Sequence, residues 1–248
     1  MHVAITGASS GIGAALAREL GRAGHTLTLV ARRRALLDDL AAELGNTTLV
    51  VEHDLANPDT ATAWLATAEA AHGPIDVLVN NAGMENTGPT IAADPAVFRK
   101  MIDLNLTTPL LLARALLPAM TARGSGMIIN VASVAALVAP PMQAYYGATK
   151  AGLAMFSETV RGELAGTGVH VLTVYPGPVK TAMGDSARVA FGDKVPPVPE
   201  GTPEELASLI HAAMQRKAPR LIYPRMYTAA RWLGPVARAL VNRFAPRR

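Results

Sequence analysis

A short apolar run, His2-Val-Ala-Ile-Thr6, leads straight into Gly7-Ala-Ser-Ser-Gly11-Ile-Gly13, and a helical pattern, AALARELGRAG, follows at once. Strand, glycine turn and helix in that order leave few folds open. Gly7 permits the tight turn, Gly11 lets backbone approach a phosphate, and Gly13 lets the helix pack closely on the strand. The free N–H groups of the helix start, with the helix dipole behind them, then face an anion. Glycine-rich turns are common, and it is the position right after the first strand that gives this one functional weight.

Strands and helices alternate over the rest of the chain. Further strands are expected at 26–31, 48–52, 75–79, 126–132, 169–174 and 220–223. Helices are expected at 33–44, 58–72, 94–122, 143–165 and 203–217, and Pro109 is expected to kink the long pattern around DLNLTTPLLLARALL. Such alternation argues for a parallel sheet covered on both faces. The fold class expected is α/β: a single-domain, Rossmann-like, doubly wound parallel sheet of about seven strands across residues 1–248, with no linker or repeat to divide it. The Pro- and Gly-rich stretch 182–200 reads as a substrate lid, and 226–244 as a C-terminal helix.

Composition removes several function classes. A chain of 248 residues buries roughly 70 to 75% of its unfolded surface, enough for a real core. With no cysteine there is no disulfide, iron–sulfur ligation or thiolate catalysis. The six histidines are scattered and show no metal-ligand spacing. A net charge of +4 is too modest to imply nucleic-acid binding. No apolar run reaches the ~18 residues of a membrane span, and the longest uncharged run, 127–149, is broken by Pro140 and Pro141. Met1 runs directly into the first strand, so no signal peptide and a cytoplasmic location are expected. In the C-terminal helix Trp232, Val236, Leu240 and Phe244 recur every four residues, with Arg231 and Arg238 on another face. A basic amphipathic helix can rest on an anionic membrane surface. The favoured reading is that it covers the domain's edge or a neighbouring subunit, and Gly234 and Pro235 weaken it as one continuous helix.

The chemistry gathers in SVAALVAPPMQAYYGATK, from Ser133 to Lys150. In a helix over 143–165, Tyr146 and Lys150 stand one above the other on one face. A phenol ionises near pH ~10. An ammonium beside it favours the phenolate, so the phenol exchanges a proton more readily near neutrality. Ser133, at the end of the apolar run MIINVA, is placed to hold a substrate oxygen against the phenol. A tyrosine and lysine at helical spacing are more often mere surface residues; the N-terminal glycine turn reverses that weighting.

Together these residues resemble the short-chain dehydrogenase/reductase family, and the resemblance covers nearly the whole chain. It rests on TGASSGIG at 6–13, NNAG at 80–83, Asn105 within DLNLT, Ser133, the segment Tyr146-Gly-Ala-Thr-Lys150, and Pro176-Gly177 with Thr181, in order and at the right spacing. The resemblance implies a nicotinamide cofactor across the carboxyl ends of the strands. Tyr146 would be the general acid in reduction and the base in oxidation. Lys150 would lower the phenol's pKa and hold the nicotinamide ribose, Ser133 would bond the substrate oxygen, and Asn105 would bind a water linking Lys150 to solvent. For the cofactor, the resemblance points to Gly7, Ser9, Ser10, Gly11, Ile12 and Gly13 at the phosphates and to Asp54 and Leu55 at the adenine. Asn81, Ala82 and Gly83 would line the adenosine ribose. Pro176 and Gly177 follow the sixth strand, and Val179 and Thr181 would meet the carboxamide. The long helices at 94–122 and 143–165 resemble those that pair subunits in the family, implying a homodimer or homotetramer.

An NAD-specific site places Asp or Glu about 20 residues beyond the glycines. Here Ala31 holds that position and Arg32 and Arg33 follow, so a 2′-phosphate is welcome and NADP(H) is preferred over NAD(H). Ser10 lacks the basic side chain that some NADP-specific members carry before the second glycine. Met84, Glu85, Ala135, Met142, Gln143, Tyr145 and Met183 are expected to face the substrate, and the methionines suit an adaptable apolar pocket. The expectation is a ketone or aldehyde reductase on an apolar small molecule, with a secondary alcohol dehydrogenase running the other way as the alternative. Two rivals stand further off. Gly7-Ala8-Ser9-Ser10-Gly11 also fits the nucleophile elbow of a hydrolase, though it follows the first strand and no histidine lies in a matching context. A non-catalytic NADP-binding scaffold would keep the turn but not need all of Asn105, Ser133, Tyr146 and Lys150.

Overall fold

The first strand, β1 (His2–Thr6), is buried along its whole length and becomes an inner strand of the sheet. The computed structural model describes residues 1–45, 47–184 and 200–229. In chain order the elements are β1, α1 (Gly11–Arg22), β2 (Thr26–Ala31), α2 (Arg34–Leu44), β3 (Thr48–Glu52), α3 (Leu65–His72) and β4 (Val77–Asn80). Then come α4 (Pro95–Ile102), α5 (Thr108–Ala122), β5 (Gly126–Val131), α6 (Ala135–Val138), α7 (Ala144–Glu163) and β6 (Val169–Pro176). After the undescribed residues 185–199, α8 (Pro203–Gln215) and β7 (Arg220–Tyr223) follow.

The seven strands form one sheet in the order β3-β2-β1-β4-β5-β6-β7, and every neighbouring pair is parallel. Successive side chains of a strand point to opposite faces. Val3, Ile5, Leu29, Val79, Ile129 and Leu172 therefore meet Leu16 and Leu20 of α1 and Leu206 and Ile210 of α8 in one core. Their neighbours Ala4, Val30, Leu78, Ile128 and Val171 meet Leu65 of α3 and Leu112, Leu116 and Met120 of α5 in the other. Both faces of each inner strand are apolar because both are covered. The chain winds outward from β1 in one direction, then restarts at β4 in the other, and this reversal opens a crevice at the carboxyl ends of β1 and β4.

Three local expectations change. The pattern at 94–122 is helical but not one regular α-helix: a π-helical turn, Asp103–Thr107, joins α4 to α5 just before Pro109, and Thr108 N–H bonds the carbonyl of Asp103. Pro109 sits in the first turn of α5, where its missing N–H removes the donor that an α-helical register would aim at the Asn105 carbonyl. The pattern at 58–72 opens as a 3-10 turn, Pro58–Thr60, capped by the Asn57 side chain, and α3 begins only at Leu65. Ala61 and Trp64, both buried, stand three residues apart, the spacing of the tighter helix. The four-residue α6 was not foreseen; it ends at Ala139 with φ +48°, and Met142 follows at φ +67°.

Most of the expected lid and of the expected C-terminal helix, with Arg231, Trp232, Val236, Arg238, Leu240 and Phe244, lies outside the described residues. Arg225–Tyr227 form a 3-10 turn. Among the described residues no helix is long and apolar enough to cross a membrane.

Candidate active site

The glycine turn closes against the end of β4. A Cβ on Gly7, whose φ is +68°, would stand 2.8 Å from Ala82 Cα. One on Gly13 would strike the Gly7 carbonyl and lie 2.6 Å from Asn81 Nδ2. Gly13 thus clears the turn itself, a tighter constraint than helix-on-strand packing. Thr6 is the knot of this region: its hydroxyl donates to Val79 O at 3.0 Å and accepts from the N–H groups of Asn81 and Ala82 at 3.0 and 3.1 Å. Asn81 Nδ2 donates to the carbonyls of Thr6 and Gly7. A Cβ on Gly11 would meet Thr181 Cγ2 at 3.2 Å, so the turn faces the segment that follows β6. Ile12 packs on the core beneath.

Beside the turn, Arg33 Nη2 donates to Ser9 Oγ at 2.9 Å and to Ser10 Oγ at 2.6 Å, and its Nε reaches Ser9 Oγ at 3.1 Å. Ser10 caps α1 without a side-chain bond to its backbone. The basic side chain that Ser10 itself lacks is therefore supplied from the end of β2. Arg32 Nε lies 3.9 Å from Asp54 Oδ1, a loose pair in solvent. Asp54 also accepts from Ala56 N–H at 3.1 Å, and the buried Leu55 offers its carbonyl to Thr108 Oγ1 at 2.7 Å. These residues fit a nicotinamide dinucleotide. Gly7 and Gly13 have no room for a Cβ, the start of α1 leaves backbone N–H groups without intrahelical partners, and guanidinium groups flank the end of β2 where NAD-specific sites keep a carboxylate. Ser9 has the guanidinium as its described partner rather than a histidine, which leaves the hydrolase elbow without a base.

At the carboxyl end of β5, Tyr146 and Lys150 both turn inward, only 8% and 5% exposed. Lys150 Nζ lies 5.9 Å from the Tyr146 ring centre and donates to Val131 O at 2.8 Å. A Cβ on Gly83 would meet Asn105 Oδ1 at 3.2 Å and Lys150 Nζ at 3.4 Å, so three of the expected residues converge within a few ångströms. Ser133 Oγ accepts from Ala135 N–H at 3.1 Å and lies 3.5 Å from the carbonyl of Pro176. The side chain of Asn105 is fully engaged. It accepts from Met84 N–H and donates to Met84 O, both at 2.8 Å, and donates to Thr149 Oγ1 at 3.2 Å. Pro109 withholds the α-helical donor from the Asn105 backbone carbonyl.

Burial dominates the electrostatics of the Tyr146 and Lys150 pair. Burial pushes the Tyr146 phenol well above its ordinary value, the Glu85 carboxylate adds to the rise, and a hydrogen bond with Ser133 opposes it. Burial also lowers Lys150 to about 8, with Glu85 pulling it back up. In the protein without cofactor, burial is the largest influence on both groups and moves each toward its neutral form.

Around the phenol, Ala135 and Met101 are buried against Tyr146, with Met84 and Tyr145 packed beside them. The Tyr145 ring stacks on Phe98 of α4, 4.7 Å between centres. Gln143 donates to Glu85 Oε1, and Met142 offers its carbonyl to Gly88 N–H at 2.8 Å. Met183 is 38% exposed where the described chain stops. After β6, Gly177 N–H bonds Tyr223 O, and Val179 pairs with Gly201. Thr181 Oγ1 donates to Val179 O at 3.3 Å and accepts from Gly184 N–H at 3.1 Å. Sequence reasoning missed Thr6, Thr149 and Met101; a threonine ending the first strand is the one signal that pointed to any of them. No group of three or more His, Asp or Glu among the described residues is arranged to hold a metal.

Comparison with known proteins gives the family. The profile described as short chain dehydrogenase matches residues 1–190. A short chain dehydrogenase of Pseudocercospora fijiensis is 37% identical over 186 residues, covering 73% of this chain, which spans 60% of that relative's length. A solved short-chain dehydrogenase from Sphingobium yanoikuyae, in complex with NADPH, is 33% identical with a TM-score of 0.84, covering 97% of this chain and 95% of its own. A 3-ketoacyl-(acyl-carrier-protein) reductase from Brucella melitensis, complexed with NADH, is 27% identical with a TM-score of 0.82, covering 90% and 96%. With the profile running through the glycine turn and past Tyr146 and Lys150, this chain belongs to the short chain dehydrogenase family.

Proposed function

We propose that the protein is an NADP-preferring oxidoreductase that reduces the carbonyl of an apolar ketone or aldehyde. The observation that carries this reading is the buried meeting of the Tyr146 phenol, the Ser133 hydroxyl and the Lys150 ammonium beside the glycine turn. The nicotinamide, when bound, supplies the hydride. Ser133 holds the carbonyl oxygen, and Tyr146 gives it the phenol proton as charge develops there. A phenol with a raised pKa stays protonated at neutral pH, the state a general acid needs at the start of a reduction. Such help contributes on the order of 10²- to 10⁴-fold. Lys150 spends one hydrogen on Val131 O and keeps the others for the ribose hydroxyls and for returning a proton to Tyr146. Asn105 ties the 83–84 loop down with its side chain, and its backbone carbonyl holds the water that links Lys150 to solvent.

Gly7, Ser9, Ser10, Gly11, Ile12 and Gly13 would hold the dinucleotide's phosphates, Asp54 and Leu55 its adenine, Asn81, Ala82 and Gly83 the adenosine ribose, and Val179 and Thr181, beyond Pro176 and Gly177, the carboxamide. Arg33, already hydrogen-bonded to Ser9 and Ser10, and Arg32 take the 2′-phosphate. The NADPH-bound Sphingobium relative supports that choice, while the NADH-bound Brucella relative marks the range of the family. Met155 of α7 and Ile102 of α4 are exposed apolar side chains on the helices expected to pair subunits, in keeping with a homodimer or homotetramer.

A panel of carbonyl compounds and secondary alcohols, run with both cofactors, tests the reading. Faster carbonyl reduction with NADPH than with NADH is expected. Turnover confined to alcohols with NAD would contradict both the direction and the cofactor.

A further inference from the structure

The roles assigned above leave Glu85 without work. It stands two residues past Gly83, and because the Asn105 side chain clamps both the N–H and the carbonyl of Met84, it is held one residue from that clamp. Across the pocket, Gln143 at the start of α7 donates to Glu85 Oε1, and Thr87 Oγ1 donates to the same oxygen at 2.8 Å. The bond from Gly88 N–H to Met142 O makes a second rung between the two loops. The carboxylate is therefore fixed between the loop after β4 and the helix that carries Tyr146. Both donors go to Oε1; among the described residues Oε2 has no hydrogen-bond partner.

That oxygen of the carboxylate is not sealed off from solvent, so it can accept from a donor on a bound molecule in place of water. Thr87, Gln143 and the Lys150 charge all favour its ionised form against the cost of burial. Its field reaches both Tyr146 and Lys150, so it also reaches whatever lies against the phenol. Met84, Ala135 and Tyr145, packed around the phenol, carry no charge, and the charge that opposes Glu85 there is that of Lys150.

Resting on the reductase reading, and narrowing its apolar substrate to one that carries a single hydrogen-bond donor, we propose that Glu85 sets the charge selectivity of the substrate pocket. Its Oε2 receives a donor, an ammonium or a hydroxyl, carried by the carbonyl compound. The same charge turns away substrates that bear a carboxylate or phosphate near the reacting carbon.

The test uses three ketones of one skeleton that carry an ammonium, a methyl or a carboxylate at the same position. Each is assayed with NADPH on the wild-type protein, Glu85→Gln and Gln143→Lys. The first variant removes the charge at constant shape and the second neutralises it with a neighbour. The wild-type protein is expected to favour the ammonium ketone over the carboxylate ketone in kcat/KM. Both variants are expected to shrink that ratio by on the order of 10²-fold, mainly through KM. Calorimetric binding of the matching alcohols to the NADP-loaded protein reads the same selection without turnover. Absence of turnover on all three with the charge order intact in binding would overturn the reductase reading and leave the selectivity standing. Ratios that do not move in either variant, or a wild-type preference for the carboxylate, would overturn the role of Glu85.

Discussion

Lys150 Nζ lies 5.9 Å from the centre of the Tyr146 ring and gives its described hydrogen bond to the Val131 carbonyl. The lysine is therefore anchored to the sheet, and the tyrosine is placed relative to it by the helix, by its bond with Ser133 and by packing on Met101 and Ala135. Both groups are buried, and each is displaced toward its neutral form: the lysine down to about 8, the tyrosine upward.

That displacement makes stability depend on pH in a defined way. Between about 8 and the ordinary lysine value of 10.5, the unfolded chain keeps a proton on residue 150 that the folded protein has released. Stability contributed by this group rises with pH across that window, and below it the full cost of burying the charge is felt. Above the ordinary tyrosine value of 10.0 the sign reverses, because the unfolded phenol ionises first. Denaturant unfolding across this range should show the rise in the wild-type protein and a flatter profile in Lys150→Met. The ε-carbon resonance of Lys150 should titrate near 8 without cofactor and lower still in Glu85→Gln, which loses the charge that holds it up. Titration at the ordinary value in both proteins would contradict the burial argument.

Arg33 bridges Ser9 and Ser10 from 24 and 23 residues away. Its replacement by alanine removes a charge-assisted partner of the 2′-phosphate, a loss of about 1.5 to 3 kcal/mol, or roughly 10- to 100-fold in affinity for NADPH. NADH has nothing at that position to lose, so its affinity should change little. Fluorescence titration of both cofactors measures the difference, and an equal loss for each would place Arg33 outside the phosphate site.

Gly13→Ala puts a methyl group into the Gly7 carbonyl and Asn81 Nδ2. Overpacking of this kind costs about 1 to 3 kcal/mol. The turn can relieve it only by opening, so cofactor affinity should fall together with thermal stability. A variant that binds NADPH normally would mean that the turn is not the phosphate cradle.

The alternation of elements was legible because each inner strand reads apolar on both faces, with Ala4 and Ile5 or Leu78 and Val79 serving opposite cores. The pairing of Tyr146 with Lys150 was legible for the same kind of reason: a four-residue spacing fixes a face once the helix exists. Three features were not. The π turn at Asp103–Thr107 adds a residue to a pattern whose apolar spacing barely registers it, and only Pro109 hints at the break. The contacts of Arg33 with Ser10 and of Gln143 with Glu85 join residues 23 and 58 positions apart, which only the assembled sheet brings together. The direction of the phenol's shift depends on depth of burial, and spacing carries no information about depth. The segment 185–199, where most of the expected lid falls, and the residues beyond 229 lie outside the described structure.

The central claim is that the Tyr146 phenol delivers the proton, and Tyr146→Phe tests it most directly. Turnover of a carbonyl substrate should fall at least ~100-fold in that variant while NADPH binding, measured by fluorescence titration, is retained. Near-normal turnover with intact cofactor binding would contradict the account.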